Sequence, residues 1–190
     1  MVIIISELIQ LTQYLQISNA AHILYVYETK NKYLNNLMAY IKTGVSRGHH
    51  VIIIDNLNLY EQAEERIKEL FSMAEQKLIY YLDNKSYYED FNADRILKHF
   101  AEILEPFLNE KMIVRTWAHV QFKKADDIYV KIREFEHLAD KSVRKFKKVM
   151  SVCAYNGSEI PASLHINLMK SHEYLMTDNQ LTRSLLYRID

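Results

Sequence analysis

The sequence predicts an α/β domain in which a mostly parallel central sheet is flanked by helices. Short apolar runs alternate along the chain with longer segments that carry apolar residues at helical spacing. Residues 51–55 (VIIID) are almost uninterrupted in apolar character, which is typical of a strand covered on both faces. Only three glycines and two prolines occur in 190 residues, so regular elements should dominate.

Strands and helices alternate through the first half of the chain. Ser6 is placed to cap an amphipathic helix that ends near Ile17. The elements predicted next are strand His22–Tyr27, helix Tyr33–Val45, strand Val51–Asp55, helix Asn58–Met73 and strand Leu78–Leu82. Gly48 stands where a helix end favours a left-handed residue, and Asn58 with Glu61 resembles a capping box.

The second half continues the alternation. The predicted elements are helix Asn92–Leu108, strand Met112–Val120, a long helix capped by Asp126, strand Val149–Tyr155, helix Pro161–Lys170 and a last edge strand Tyr174–Thr177. No repeat or linker interrupts them, so we expect one domain over residues 1–190. It would comprise an N-terminal amphipathic helix within residues 1–20 and an α/β core over residues 21–190.

Composition narrows the function classes. Twenty-four basic side chains balance twenty-four acidic ones, so the charge excess that nucleic-acid binding usually requires is missing. No apolar run approaches the roughly 20 residues that span a bilayer, and the opening MVIII is too short for a signal peptide. Cys153 is the only cysteine, which suits a reducing compartment. We therefore expect a cytoplasmic protein that contacts neither nucleic acid nor membrane directly.

The loop after the first predicted strand argues against nucleotide chemistry. Its sequence, ETKNK, contains no glycine, whereas a phosphate-binding loop uses glycines to turn backbone N–H groups toward phosphates. Neither Lys30 nor Lys32 is followed by the Ser or Thr that would bind Mg²⁺. The sequence thus predicts the frame of a nucleotide-binding domain without its phosphate site, and a protein that is not an enzyme.

The carboxyl ends of the predicted strands are the expected place for a ligand. The candidate ligand-binding residues there are Tyr27, Glu28, His119, Gln121, Tyr155 and Asn156. We expect an apolar pocket with a few polar anchors. Asp55, Asn56, Asp83 and Asn84 also follow strands, but capping of the next helix explains them better.

Metal binding and nucleophilic catalysis have little support in the sequence. Eight histidines occur, yet none forms an HExxH pattern, and no CxxC pattern occurs. Cys153, His119, His165 and His172 would converge only through the fold, so isolated, hydrogen-bonded histidines and no metal or cofactor are expected. Cys153 lies within an apolar strand, which indicates a buried structural thiol.

Four segments carry a family resemblance through their order and spacing: HILYVYE, GVSRGHHVIIID, IVRTWAHVQF and CAYNGSEIPASLHINLMKSH. Together they resemble the MEDS domain, the sensory domain named for methanogen and methylotroph proteins and the dichloromethane-responsive regulator. The resemblance implies a RecA/KaiC-like three-layer sandwich that lacks the phosphate-binding loop. His119 departs from the family pattern, which has an acidic residue at this position.

The resemblance also implies a function. It points to a cytoplasmic sensory or regulatory domain for signal transduction or transcription regulation, with a hydrocarbon-derived small molecule or a regulatory protein as its partner. Because 190 residues leave no room for a DNA-binding or kinase domain, we expect signalling through a partner or a homo-oligomer. Two alternatives stay open: a pure protein-interaction regulator that docks through its first helix, and an ATP-binding enzyme with an atypical nucleotide site.

Overall fold

A seven-stranded sheet forms the centre of the protein. The computed structural model describes residues 20–123 and 126–188. The strands are β1 Ala21–Tyr27, β2 His50–Asp55, β3 Ile79–Asp83, β4 Val114–His119, β5 Val149–Asn156, β6 Tyr174–Met176 and β7 Leu181–Arg183. Their order is β3-β2-β4-β5-β1-β6-β7, and every neighbouring pair is parallel except β6 and β7. The predicted mostly parallel sheet is confirmed.

Helices cover both faces of this sheet. They are α1 Lys30–Val45, α2 Leu57–Leu70, α3 Met73–Gln76, α4 Asn84–Tyr87, α5 Ala93–Asn109, α6 Ile128–Lys145 and α7 Ala162–Lys170. Apolar residues of α1 and α2 pack into one core against the sheet, while those of α5, α6 and α7 pack into a second core on the opposite face. The three-layer architecture is therefore confirmed as well.

Alternation along the strands decides which core each side chain enters. In β1, Tyr25 and Tyr27 belong to the core under α1, whereas Leu24 belongs to the core under α6. The pairing of Tyr27 with Asn156 brings the carboxyl ends of β1 and β5 side by side. The end of β4 joins them, because His119 pairs with Ala154. Polar groups at these ends consequently meet at one edge of the sheet.

Helix starts differ from two sequence predictions. Asn56, rather than Asn58, caps α2, because its side chain accepts a hydrogen bond from the Leu59 backbone N–H at 3.0 Å. At the start of α6 the capping position is Asp127, with no side-chain capping bond, so the predicted Asp126 cap is wrong. Gly48 does adopt the predicted left-handed conformation, with φ of 71°.

The last strands of the sheet differ from the sequence prediction. The edge strand expected over 174–177 is present as β6, but β7 follows and pairs with it, so β6 is not the edge. The predicted first helix, from Ser6 to Ile17, lies outside the described residues. Among the described helices, none combines the length and apolar character that crossing a membrane requires.

Candidate functional site

An open cleft lies at the carboxyl edge of the sheet, at the ends of β1, β2, β4 and β5. Its volume is about 390 Å³. The structure brings five of the six predicted ligand-binding residues to its wall: Tyr27, Glu28, His119, Gln121 and Asn156. The lining is mostly polar, so the expectation of an apolar pocket with a few polar anchors is wrong for this cleft.

A hydrogen-bonded chain runs from the cleft into the core. The Tyr27 hydroxyl lies 3.0 Å from His119 Nε2, and His119 Nδ1 lies 2.8 Å from a carboxylate oxygen of Asp55. Asp55 is fully buried. A carboxylate accepts, so the neutral His119 ring donates a hydrogen bond from Nδ1 and accepts one from the Tyr27 hydroxyl at Nε2. Each group fixes the orientation of the next, which holds the Tyr27 hydroxyl in one position.

Tyr33 and Trp117 extend this hydrogen-bonded chain from Asp55 further into the core. The Tyr33 hydroxyl donates to the second carboxylate oxygen of Asp55, and the indole N–H of Trp117 donates to the Tyr33 oxygen at 2.8 Å. Both rings are fully buried. Sequence reasoning missed the central role of Asp55 and did not single out Tyr33. The register of β2 against β4, which pairs Ile54 with Ala118, is the signal that would have placed Asp55 beside His119.

The phenol groups of Tyr27 and Tyr33 in this hydrogen-bonded chain stay protonated at neutral pH. Burial, followed by the nearby carboxylates of Glu159 and Asp55, raises the pKa of Tyr27 well above its ordinary value. Burial and Asp55 act on Tyr33 in the same direction and raise its pKa as well. At neutral pH the Tyr27 hydroxyl at the cleft is therefore protonated and fixed in position. It serves as a hydrogen-bonding group and is a poor nucleophile.

The N-terminus of α1 already carries an anion. One carboxylate oxygen of Asp178 accepts hydrogen bonds from the backbone N–H groups of Glu28 and Thr29, at 3.3 and 3.2 Å. Its other oxygen accepts from the Tyr25 hydroxyl at 2.8 Å. A helix N-terminus after the first strand is where a phosphate binds in many α/β proteins. Here a side chain of the protein takes that place.

Tyr155 is the predicted site residue that the structure does not bring to the cleft. It is fully buried on the opposite face of the sheet, where its hydroxyl donates to Glu136. Successive strand residues point to opposite faces, so Tyr155 and Asn156 cannot both face the cleft. Placing them together by position along the strand alone was the error.

A second polar group is buried on that opposite face. The ligand-type atoms of His22, Glu136, Cys153 and His172 lie within 4.8 Å of one another. The rings of His22 and His172 stack with centroids 4.0 Å apart, so the prediction of isolated histidines is wrong for this pair. His119 instead belongs to the cleft. His22 lies more than 100 residues before the other three side chains in sequence, so no local pattern reveals the group.

Burial governs ionisation in this second group. It raises the pKa of the Cys153 thiol, and the neighbouring Glu136 raises it further. It also raises the pKa of Glu136, although His22 and Tyr155 oppose this. The pKa of His172 is lowered, by burial and then by His22. Left to themselves, Cys153, Glu136 and His172 thus favour their uncharged forms.

Comparison with known proteins gives one family match and several matches to solved structures. The model of the family described as "MEDS: MEthanogen/methylotroph, DcmR Sensory domain" matches residues 21–173. No curated protein matches the sequence significantly.

The solved structures similar to this chain include the ATPase domain of another protein. That match has a TM-score of 0.51 and 9% identity, and covers 84% of this chain and 69% of that one. ATP synthase subunit NeqB from Nanoarcheaum equitans matches with a TM-score of 0.49 and 9% identity, over 83% and 45% of the two chains. Flagellar accessory protein FlaH from Methanocaldococcus jannaschii matches with a TM-score of 0.47 and 14% identity, over 83% and 72%. At such low identity the first match supports a RecA-like fold and nothing further.

Proposed function

Because the chain belongs to the MEDS family of sensory domains, we propose that it is a non-enzymatic cytoplasmic sensor that binds a small polar molecule in the cleft at the carboxyl edge of the sheet. Family membership supports the sensory or regulatory role. The observation that carries the ligand proposal is the chain Tyr27–His119–Asp55, which holds one hydroxyl in a fixed position at the wall of an open cleft. Such pre-positioning lowers the entropic cost of binding.

The chemistry of the cleft favours a neutral or zwitterionic ligand. Glu28 and Lys30 contribute one negative and one positive charge, and both are exposed. Amide side chains of Gln121 and Asn156 add donors and acceptors. Alcohols, amines and carboxylic acids, which are oxidised or substituted derivatives of hydrocarbons, match this lining better than hydrocarbons themselves. Phosphate-bearing ligands are disfavoured because the Asp178 carboxylate lies at the N-terminus of α1.

Isothermal titration of the full chain against short alcohols, amines, carboxylic acids and nucleotides tests the proposal. A ligand of the first three classes should bind, and Tyr27→Phe, which removes only the hydroxyl, should weaken its binding by tenfold or more. Gln121→Ala should weaken binding too, because this exposed amide changes the cleft without removing a core side chain. Lys98→Ala, with an 80% exposed side chain on α5, is the matched control and should bind normally.

Equal affinity in the wild-type chain and in both cleft variants would contradict the proposed site. Absence of binding across the whole panel would instead favour a regulator that acts through protein contacts alone. The output of the sensor is proposed to be a change in association with a protein partner or a second copy. Light scattering with and without ligand measures the second case directly.

A further inference from the structure

Four buried side chains with metal-binding chemistry converge on the face of the sheet away from the cleft. They are His22 from β1, Cys153 from β5, Glu136 from α6 and His172 from the segment after α7. None is more than 5% exposed. Glu136 Oε2 lies 3.4 Å from His172 Nε2 and 3.8 Å from His22 Nε2, and Cys153 Sγ lies 3.5 Å from His22 Nε2.

Backbone carbonyls orient both imidazoles toward this group. His22 Nδ1 lies 2.9 Å from the carbonyl oxygen of Ser171, and His172 Nδ1 lies 2.8 Å from that of Leu168. Carbonyl oxygens only accept, so both Nδ1 atoms carry a proton, and in the neutral rings both Nε2 atoms carry a lone pair. Both lone pairs are therefore on the nitrogens that approach Glu136. Metal-bound histidines show the same support, in which the remote ring nitrogen donates to a carbonyl or carboxylate.

Two atoms of the group lack a hydrogen-bond partner among the residues that the structure describes. Glu136 Oε2 and His172 Nε2 are fully buried and unsatisfied, and they face each other. The other Glu136 oxygen accepts from the Tyr155 hydroxyl, so only Oε2 is left over. Buried polar atoms without a partner are costly, and native proteins rarely leave such atoms unmatched. A proton shared between Glu136 Oε2 and His172 Nε2 would satisfy these two atoms, whereas a bound cation would interact with all four side chains.

We propose that His22, Glu136, Cys153 and His172 together bind one divalent transition-metal ion, with zinc as the ion that two imidazoles, a thiolate and a carboxylate suit best. Bonds to zinc are about 2.0–2.3 Å long, so two ligand atoms of one tetrahedral ion lie about 3.3–3.8 Å apart. The present separations, all within 4.8 Å, require a contraction of at most about 1.5 Å. On binding, the Cys153 thiol and the Glu136 carboxyl release their protons to solvent, and the Cys153 sulfur and a Glu136 oxygen bond to the metal. Thiolate and carboxylate then cancel the two positive charges.

The site is of the closed, structural kind. The cavity that touches His22 and Cys153 has a volume of about 30 Å³ and otherwise mostly apolar walls, so it admits no more than a water molecule or two. Four protein ligands would complete the tetrahedron that structural zinc prefers. The ion would tie β1, β5, α6 and the segment after α7 to one point. Because none of the four residues lines the cleft, this proposal does not depend on the proposed ligand.

Metal content of the untagged full chain, purified without metal resin, tests the proposal. Elemental mass spectrometry should find about one equivalent of a first-row divalent metal per chain. Chain unfolded with chelator and refolded with Zn²⁺ should recover that equivalent and unfold at a higher temperature than chain refolded without metal. Refolding with Co²⁺ should produce a thiolate-to-cobalt charge-transfer band. This band identifies its ligand, because Cys153 is the only cysteine in the sequence.

Substitutions of the proposed ligands test whether these side chains bind the ion. Cys153→Ser and His172→Gln should each lower the metal content at least tenfold after refolding with equimolar Zn²⁺. His137→Gln changes an exposed histidine next to Glu136 on α6 and should keep the full equivalent. Less than a tenth of an equivalent in the wild-type chain after refolding with Zn²⁺ would overturn the proposal, and so would a full equivalent in Cys153→Ser. Where a variant fails to fold, the cobalt spectrum of the wild-type chain decides, and absence of the thiolate band counts against the site.

Discussion

The carboxylate of Asp178 lies 3.2 Å from the backbone nitrogen of Thr29 and accepts its hydrogen bond. This contact places a fixed negative charge at the first turn of α1, where the helix dipole stabilises it. A loop that holds its anion on a distant side chain has no need to wrap around a phosphate. The glycine-free sequence ETKNK is therefore consistent with the structure, in which the Asp178 side chain accepts the hydrogen bonds of this loop.

We predict that Mg-ATP leaves the thermal unfolding of the wild-type chain unchanged within about 1 °C. The Asp178 carboxylate repels a phosphate and already uses the N–H groups of Glu28 and Thr29 that would bind it. Differential scanning fluorimetry with saturating nucleotide provides the measurement. An increase of several degrees that disappears when Mg²⁺ is removed would show that nucleotide binding survives by another route.

Asp178→Ala should lower the free energy of unfolding by about 2–3 kcal/mol. The substitution leaves the Tyr25 hydroxyl and two backbone N–H groups without their acceptor, and hydrogen bonds to a charged group are worth about 1.5–3 kcal/mol each before water replaces them. Urea denaturation followed by circular dichroism measures the change. Glu69→Ala, at an exposed position on α2, is the control and should stay within about 0.5 kcal/mol of wild type.

Tyr155→Phe should cost about 2 kcal/mol of stability. It removes the only hydroxyl that donates to Oε1 of Glu136 among the described residues, in a fully buried environment. Tyr129→Phe removes a hydroxyl from an exposed ring and should have almost no effect. Equal stabilities of the two variants in urea would mean that the buried hydroxyl contributes nothing to the fold.

Gly44→Ala should destabilise the protein although alanine is the better helix former. A Cβ at position 44 would lie 2.9 Å from Arg115 Cδ and 2.9 Å from Val51 Cγ2, and both of those side chains are fully buried. Overpacking of this kind costs about 1–3 kcal/mol, which outweighs the roughly 1 kcal/mol gained in helix propensity. Chemical denaturation measures the sign of the change in the free energy of unfolding. A stabilised Gly44→Ala variant would contradict the packing described.

The comparison for this variant is Gly48→Ala. Nothing lies within 4 Å of a Cβ at position 48, but its φ of 71° is left-handed. We expect a cost of about 1 kcal/mol from backbone strain alone. The two glycines thus test crowding and backbone conformation separately.

Stability should fall as the pH drops from 7 to 5, partly because of His49. Burial, followed by the charge of Arg115, lowers the pKa of His49 to about 4. Arg115 Nε donates to His49 Nδ1 at 3.1 Å, so protonation there conflicts with the guanidinium. Between the unfolded pKa of about 6.5 and the folded value, the unfolded chain binds the proton and the folded chain does not, which removes about 1–2 kcal/mol between pH 7 and pH 5.

His49→Asn checks this assignment, because its side-chain oxygen can still accept from Arg115 but does not titrate. The measurement is the free energy of unfolding at pH 7 and pH 5 for both proteins. The variant should lose less stability than wild type over this interval. An identical pH dependence in the two proteins would remove His49 from the explanation.

The sheet could be predicted because its strands are nearly all apolar, whereas the cleft depended on contacts between distant segments. Alternating apolar runs were sufficient to find β1 to β5. The side chain of Tyr155 was assigned to the wrong face because strand position was used without its two-residue period. Asp178 was missed for a different reason: it reaches Thr29 across 149 residues of sequence, and no local pattern encodes that contact.

The short elements β7 and α4 were also missed. Four residues of α4 and three of β7 are too few to display a period, and their positions follow from packing against the completed sheet. The same holds for the pairing of His22 with His172. The longer helices and strands can thus be predicted from local sequence, but the side-chain contacts between distant segments depend on the tertiary fold.

The position of β1 inside the sheet has a consequence for how the chain acquires its fold. Ala21 pairs with Met150 and Ile23 pairs with Tyr174, so β1 acquires both of its neighbours only after more than a hundred further residues have been synthesised. During translation its apolar side chains and the unpaired backbone groups of its edges stay exposed while these residues emerge. Contacts this far apart in sequence slow folding and expose nascent strands to wrong partners. Yield of the native protein should therefore depend on how the ribosome-bound chain is protected until β5 and β6 arrive.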